Sequence, residues 1–294
     1  MSIKVGTRGS KLALAQTQTV CEKLSRLGID AEQVIMKTQG DTTTGVPLHE
    51  IGGQGVFVRA LDDAILAGDI DCAVHSMKDI PAFRPSGLFT AAVLKRDSPA
   101  DFLACTGSSE AIRVIGTSST RRRAQLLRDN PEITIKELRG NVDTRIRKMT
   151  QGEYDAIMLA EAGLTRLGIS IPGKRFPPEK FVPAPNQGTI AVVSRADPSL
   201  MEELSTLDHP QTRTDVAIER GAMEHLGGGC FTPLGIYCNE GYLIAEVLSL
   251  DGIRTERIET EIKNIEQARE QGRQLHKQAK DLIDDAYRKL GMKI

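Results

Sequence analysis

Short apolar, β-branched runs recur along this chain at intervals that leave room for one helix between neighbours, and that rhythm limits the fold more than any single residue. Residues 3–5, 34–36, 72–74, 88–94, 114–115, 133–135, 156–160 and 189–193 read as strands. Between them lie helix faces: Ala13, Val20, Leu24 and Leu27 after Ser10; Phe57, Leu61, Ala64 and Ile65; a helix from Arg121; and one carrying Val142, Ile146 and Met149. Strands separated by helix-length segments imply α/β domains, with mainly parallel sheets covered by helices on both faces. Breaks fall at 95–100 (KRDSPA) and in the Pro-rich 172–185. The tail differs. Strands at 236–238 and 242–250, an Asp251-Gly252 turn, a strand to about Thr260 and a long helix with Ala268, Leu275, Ala279, Leu282, Ala286 and Leu290 inward describe a small α+β domain. The sequence shows no internal repeat.

Charge narrows the function. The 294 residues hold 38 Lys and Arg against 39 Asp and Glu, so there is no global attraction for nucleic acid. The stretch 113–148 is locally basic, with Arg121, Arg122, Arg123, Arg128, Lys136, Arg139, Arg145, Arg147 and Lys148 facing only four acids. A basic patch on a neutral protein suits a small polyanion better than a duplex. No apolar run approaches the ~20 residues that span a bilayer, and the start of the chain does not read as a signal peptide. Five cysteines without CxxC spacing point to free thiols in a reducing cytoplasm, and no zinc site is expected.

Polar clusters sit where strands give way to helices: Thr7-Arg8-Gly9-Ser10, Ser76-Met77-Lys78-Asp79, residues 116–123, and Arg139-Gly140-Asn141. A single Ser or Thr there is most often a helix cap. Arginine at a helix N-terminus opposes the helix dipole, so four clusters, three of them with Arg, favour a cleft for carboxylates or phosphates. The phosphate-loop pattern is absent from GTRGSK, and Gly52-Gly53-Gln54-Gly55 follows no strand, so neither is a nucleotide site. His75 reads as structural. Asp79 is either a cap or a carboxylate able to hold a ring N–H and stabilise a cation. Cys230, in GGGCFTP, lies in a loop that can approach a ligand closely; chemistry alone leaves it a nucleophile, an attachment point or an ordinary loop residue.

Together these motifs resemble the hydroxymethylbilane synthase (porphobilinogen deaminase) family. TRGSKLALAQ, GGQGVFVRAL, AVHSMKDIP, GTSSTRR, LRGNVDTR, GEYDAIMLAEAGLTRLG, PAPNQG and GGGCFTPLG occur in family order from Thr7 to Gly235. The resemblance implies two α/β domains like those of periplasmic binding proteins, flanking a cleft. They are expected at 1–95 with 189–207 and at 98–185, with a third domain at 210–294 carrying the cofactor cysteine. It also implies the reaction: four porphobilinogen molecules lose ammonia and join head to tail, on a dipyrromethane cofactor held by a thioether to Cys230, and water releases the linear tetrapyrrole.

The same resemblance assigns roles. Asp79 matches the carboxylate that contacts pyrrole N–H groups and stabilises the cation left by deamination. Ser76, Lys78, Ser119, Arg121 and Arg122 match positions around the cofactor. Arg8, Ser10, Arg139, Arg145 and Arg166 match positions around incoming substrate and growing chain, and Gln187 is expected to line the cleft. The chain departs from the family pattern at Gln54 and Arg59, both often Lys, at Thr120, at Pro185-Asn186 where Val-Gly is usual, and at Val193 where a Glu is common. A monomer in the cytoplasm, with a small-molecule substrate and neither nucleic acid nor membrane as partner, is expected.

Two rivals stand beside this reading. A non-catalytic binding protein for a small polyanion explains the arginines but not Cys230. A cysteine-nucleophile hydrolase needs a positioned base, and none of His49, His75, His209, His225 and His276 is a convincing one.

Overall fold

The computed structural model describes residues 2–36, 56–81, 84–107, 112–226 and 232–291. They form two compact units, Met1–Asp97 with Gly188–Arg213, and Ser98–Gln187 with Thr214–Ile294.

In the first unit, β1 (Ile3–Arg8), α1 (Lys11–Arg26), β2 (Ala31–Met36), α2 (Val56–Ala67), β3 (Cys72–Ser76) and β4 (Leu88–Val93) follow in order. The second unit opens with β5 (Asp101–Cys105), β6 (Val114–Gly116), α3 (Thr120–Asp129), β7 (Thr134–Lys136), α4 (Val142–Thr150), β8 (Ala156–Ala160), α5 (Glu161–Arg166) and β9 (Gly173–Arg175). The chain then returns to the first unit with β10 (Ile190–Arg195) and α6 (Pro198–Ser205), and α7 (Pro210–Leu226) follows. It ends in the second unit with β11 (Leu234–Asn239), β12 (Tyr242–Leu248), β13 (Thr255–Glu261) and α8 (Ile265–Lys289).

The strand orders are β2-β1-β3-β10-β4 and β7-β6-β8-β5-β9. In both sheets the first three strands run parallel, the fourth is antiparallel to its two neighbours, and the fifth returns to the common direction. Each α/β sheet is therefore mainly parallel, and the two repeat one topology although the sequence shows no repeat. In both, the reversed strand is the first to form after the chain crosses from the other unit.

Both faces of the second unit's sheet are buried. Leu103, Cys105, Ala156 and Met158 pack with Phe181 and Leu126 on one side, and Ala104, Ile157 and Leu159 pack with Leu138, Met149 and Leu164 on the other. That is why these strands read as continuous apolar runs rather than alternating ones. In the first unit, Val20 and Leu24 of α1 bury against Ile3, Val5, Cys72 and Val192. Leu27 does not join them. It caps α1 at 54 % exposure, because the chain turns at Gly28 (φ 79°) and Ile29 folds back onto the core instead. Leu290 likewise caps α8, at 38 % exposure, rather than lying inward.

The C-terminal sheet is the antiparallel meander β11-β12-β13. One face packs on α7 and α8 through Ile218, Ala222, Leu275, Ala279 and Leu282. The other meets α3. Glu246 of β12, fully buried, accepts from Arg257 Nη1 (2.7 Å) and Arg128 Nη1 (3.2 Å), and the Asp251-Gly252 turn lies against the α3 backbone. Among the described residues, no helix is long and apolar enough to cross a membrane.

Candidate active site

In the first unit, two strand ends carry the expected residues. Ser10 caps α1, its hydroxyl accepting from Ala13 N–H at 3.3 Å, and Arg8 closes β1 half-buried. At the end of β3, Gln16 Nε2 of α1 donates to Ser76 Oγ at 2.8 Å, which couples the two clusters. The chain then makes a single 3-10 turn, Met77–Asp79, with Met77 buried and Lys78 and Asp79 exposed. Asp79 stands inside that turn, not at its N-cap, and its carboxylate accepts no hydrogen bond among the described residues.

His75 lies beneath this surface. Burial, and then the charges of Arg84 and Arg8, pull its pKa down to about 3, so the imidazole is neutral at physiological pH. Its Nε2 has no partner among the described residues. Arg84 is held by Asp62 on α2, a pair the sequence did not suggest.

In the second unit, Ser119 caps α3 by accepting from Arg122 N–H at 3.3 Å. The next two arginines turn inward and meet on Asp101, the first residue of β5 and fully buried. Arg121 Nη1 donates to Asp101 Oδ2 (2.6 Å) and to the Val182 carbonyl (2.9 Å). Arg122 donates to Oδ1 through Nε (2.9 Å) and Nη2 (2.7 Å), and to the Met158 carbonyl through Nη1 (3.0 Å). Gln187 Nε2 reaches the same Oδ1 at 3.0 Å and the Pro99 carbonyl at 2.8 Å. Burial works against ionising Asp101, but Arg121 and Arg122 more than offset it and hold its pKa below the ordinary carboxylate range.

Arg145 joins this group electrostatically. Its Nε donates to the Gly140 carbonyl at 2.7 Å, and burial together with the charge of Arg122 lowers its pKa to about 10. Arg139 is exposed and paired with Glu137 (2.6 Å), while Arg166 ends α5 half-buried. A cavity of about 580 Å³ beside the α3 N-terminus takes in Ser119 and Arg123 but none of Arg121, Arg122 and Arg145, so it is a separate feature. Cys230 and the Gly52 to Gly55 segment, including Gln54, lie outside the described residues.

The structure thus gathers Arg121, Arg122 and Gln187 on one carboxylate within the second unit, and in the first hydrogen-bonds Ser76 to Gln16 of the helix that Ser10 caps. Sequence reasoning missed Asp101. Its signal was a lone acid opening an apolar strand just after a proline, a place where a charge persists only if paired. The donor set fits a polycarboxylate: Arg121 keeps Nε and Nη2 without a hydrogen-bond partner among the described residues, and these two N–H groups form the fork that grips a carboxylate side-on.

Comparison with known proteins agrees. The description "Porphobilinogen deaminase, dipyromethane cofactor binding domain" matches residues 3–203, and "Porphobilinogen deaminase, C-terminal domain" matches 214–281. The chain is 50 % identical over 286 residues to the probable porphobilinogen deaminase of Methanosarcina acetivorans, covering 92 % of this chain and 90 % of that one. To its counterpart in Methanococcoides burtonii it is 46 % identical over 297 residues, 96 % of each. A solved structure, the methionine-binding protein MetQ, is similar at 12 % identity and a TM-score of 0.42 over 76 % of this chain and 94 % of that one, too distant to add to the strand orders above. With both family domains matched in order along nearly the whole chain, the protein belongs to the porphobilinogen deaminase family, transferases of tetrapyrrole biosynthesis that work with a dipyrromethane cofactor.

Proposed function

We propose that this protein is a hydroxymethylbilane synthase, which deaminates four porphobilinogen molecules and joins them head to tail with release of ammonia. The observation that carries the reading is the buried Arg121–Asp101–Arg122 cluster, which sets two guanidinium groups against one carboxylate at a strand end. Each porphobilinogen brings an acetate and a propionate, so such a cluster matches what the growing product accumulates. The dipyrromethane cofactor, when bound, supplies the pyrrole carbon from which the chain grows.

The protein's own residues bind and orient. Arg121, with Ser76, Lys78 and Ser119, holds the cofactor's carboxylates and N–H groups, and Arg122, its fork filled by Asp101, contributes its charge. Arg8, Ser10, Arg139, Arg145 and Arg166 receive the substrate and the lengthening chain, while Gln187, buried, braces Asp101 rather than reaching the ligand. Asp79, exposed on its 3-10 turn, places a carboxylate where it can accept a pyrrole N–H and stabilise the cation left when ammonia departs. Cys230 anchors the cofactor through a thioether. His75 is neutral and buried, so it serves as packing rather than as a general base.

Three functional domains, 1–95 with 189–207, 98–185 and 210–294, acting as a cytoplasmic monomer, complete the reading. The free thiols of Cys21, Cys72, Cys105 and Cys238 support a reducing compartment. Intact mass tests the whole. The purified chain should exceed its sequence mass by two linked pyrroles, and a peptide map should place them on Cys230. An active enzyme with an unmodified Cys230 would falsify the attachment.

A further inference from the structure

We propose that Asp101 is a positioning residue for cofactor assembly, pinning Arg121 by one terminal nitrogen so that its side-on fork stays open for a carboxylate of the pyrrole chain. The inference rests on the function read above and adds a residue that the sequence motifs did not single out.

Geometry carries it. The Arg121 guanidinium is fixed at Nη1 by two acceptors of different origin, Asp101 Oδ2 on β5 and the Val182 carbonyl. The same carbonyl accepts from Gln125 Nε2 at 2.8 Å, so that anchor is itself held. The Phe181 ring centroid lies 6.0 Å from the guanidinium carbon and walls one face. With Nη1 committed and the plane set, the remaining Nε and Nη2 donors share one edge. Arg122 differs: its Nε and Nη2 both go to Asp101 and its Nη1 to Met158. Asp101 therefore fills the fork of one arginine and leaves the fork of the other free.

Charge points the same way. One carboxylate faces two guanidiniums here, and the charge of Arg122 is felt as far as a third cation, Arg145. A buried cluster with excess positive charge is costly unless an anion joins it. The class of ligand that balances it is an organic carboxylate arriving in the plane of Arg121, which the acetate or propionate arm of a pyrrole supplies.

The test uses the full-length protein as purified, with Asp101→Asn, Asp101→Glu and Arg121→Lys beside the parent. Each is checked for cooperative thermal unfolding and then weighed intact. The parent should carry the two-pyrrole adduct. Folded Asp101→Asn should carry about tenfold less, and apoprotein given porphobilinogen should need about tenfold more of it for half-maximal loading. Arg121→Lys, which keeps the charge and loses the fork, should match that defect. Folded Asp101→Asn that loads as fully and as fast as the parent overturns the proposal. If Asp101→Asn does not unfold cooperatively, Asp101→Glu decides, because it keeps the charge balance and moves the carboxylate by one methylene. A parent-like melting point with slowed loading supports positioning, whereas parent-like loading overturns it. A parent without adduct overturns the Cys230 reading, and this inference with it, before any substitution is compared.

Discussion

Glu219 holds Asn186 in a left-handed backbone conformation: Oε2 accepts the Asn186 N–H at 2.5 Å, and Asn186 has φ 62°. The other carboxylate oxygen accepts the Cys238 N–H at 2.8 Å, so one buried side chain of α7 ties the 183–187 segment to β11. A residue other than glycine is accommodated at position 186 because Asn is the side chain that best tolerates positive φ. Glu219→Ala leaves two backbone donors unsatisfied and should cost about 2–5 kcal/mol. Asn186→Gly should be neutral or slightly stabilising, because Asn186 Oδ1 is buried without a partner among the described residues. Asn186→Val should lose at least ~1 kcal/mol. Urea unfolding of the three variants ranks them, and a Val variant as stable as the Gly one would refute the backbone argument.

His75 makes stability fall with acid. Its folded pKa, about 3, lies below the unfolded value near 6.5, so between these the unfolded chain binds a proton that the folded chain does not. Stability from this group is complete above about pH 6.5 and declines as pH falls toward 3, by about 1.4 kcal/mol per pH unit. His75→Gln removes the titration and should flatten the curve between pH 6 and 4 by that slope. Chemical denaturation across this range is the measurement, and parallel curves for parent and variant would show that another group sets the slope.

Two glycines with positive φ should respond differently to alanine. At Gly28 (φ 79°) an added Cβ meets nothing within 4 Å, so only the backbone conformation is penalised, by about 1 kcal/mol. At Gly252 (φ 77°) it would stand 2.2 Å from the Ala124 carbonyl oxygen and 2.7 Å from Arg128 N, inside the backbone of α3. Gly252→Ala should therefore cost several times more and loosen the meander from α3. Melting temperatures for the pair decide this, with equal shifts counting against the close approach.

Asp79→Asn separates charge from shape. The carboxylate is exposed and caps no helix among the described residues, so the variant should fold like the parent. Turnover should fall by ~10²–10³ if the charge stabilises a cation. Asp79→Glu should recover part of it. Single-turnover rates on loaded protein are the measurement, and a parent-like rate for Asp79→Asn would leave the cation to another group.

The strand rhythm made the α/β architecture legible because both faces of the second unit's sheet are buried, so residues 156–160 stand out as one apolar run. Elements without such a signature went unread. β9 is Gly-Lys-Arg, with no apolar side chain to announce a strand, and β5 was passed over beside the 95–100 break although Phe102 to Cys105 are apolar. The segment of α7 mixes Thr, Arg, Asp and Glu, because several of its buried positions are polar: Thr212, Asp215 and Glu219. The arginines were legible from their place at a helix start, but their common partner was not. Asp101 lies 20 residues before Arg121, and only the fold brings the two together.

β10 stands fourth in the first unit's sheet, between β3 and β4, yet it is made more than ninety residues after β4. A ribosome releasing this chain has therefore finished residues 98–187 before it delivers the strand that joins β3 to β4. Until then the edges of β3 and β4 that β10 will join stay unpaired, the feature most prone to wrong pairing in a nascent chain. A translation pause or a truncation just before Ile190 would leave every other strand of that sheet synthesised and the sheet still in two pieces.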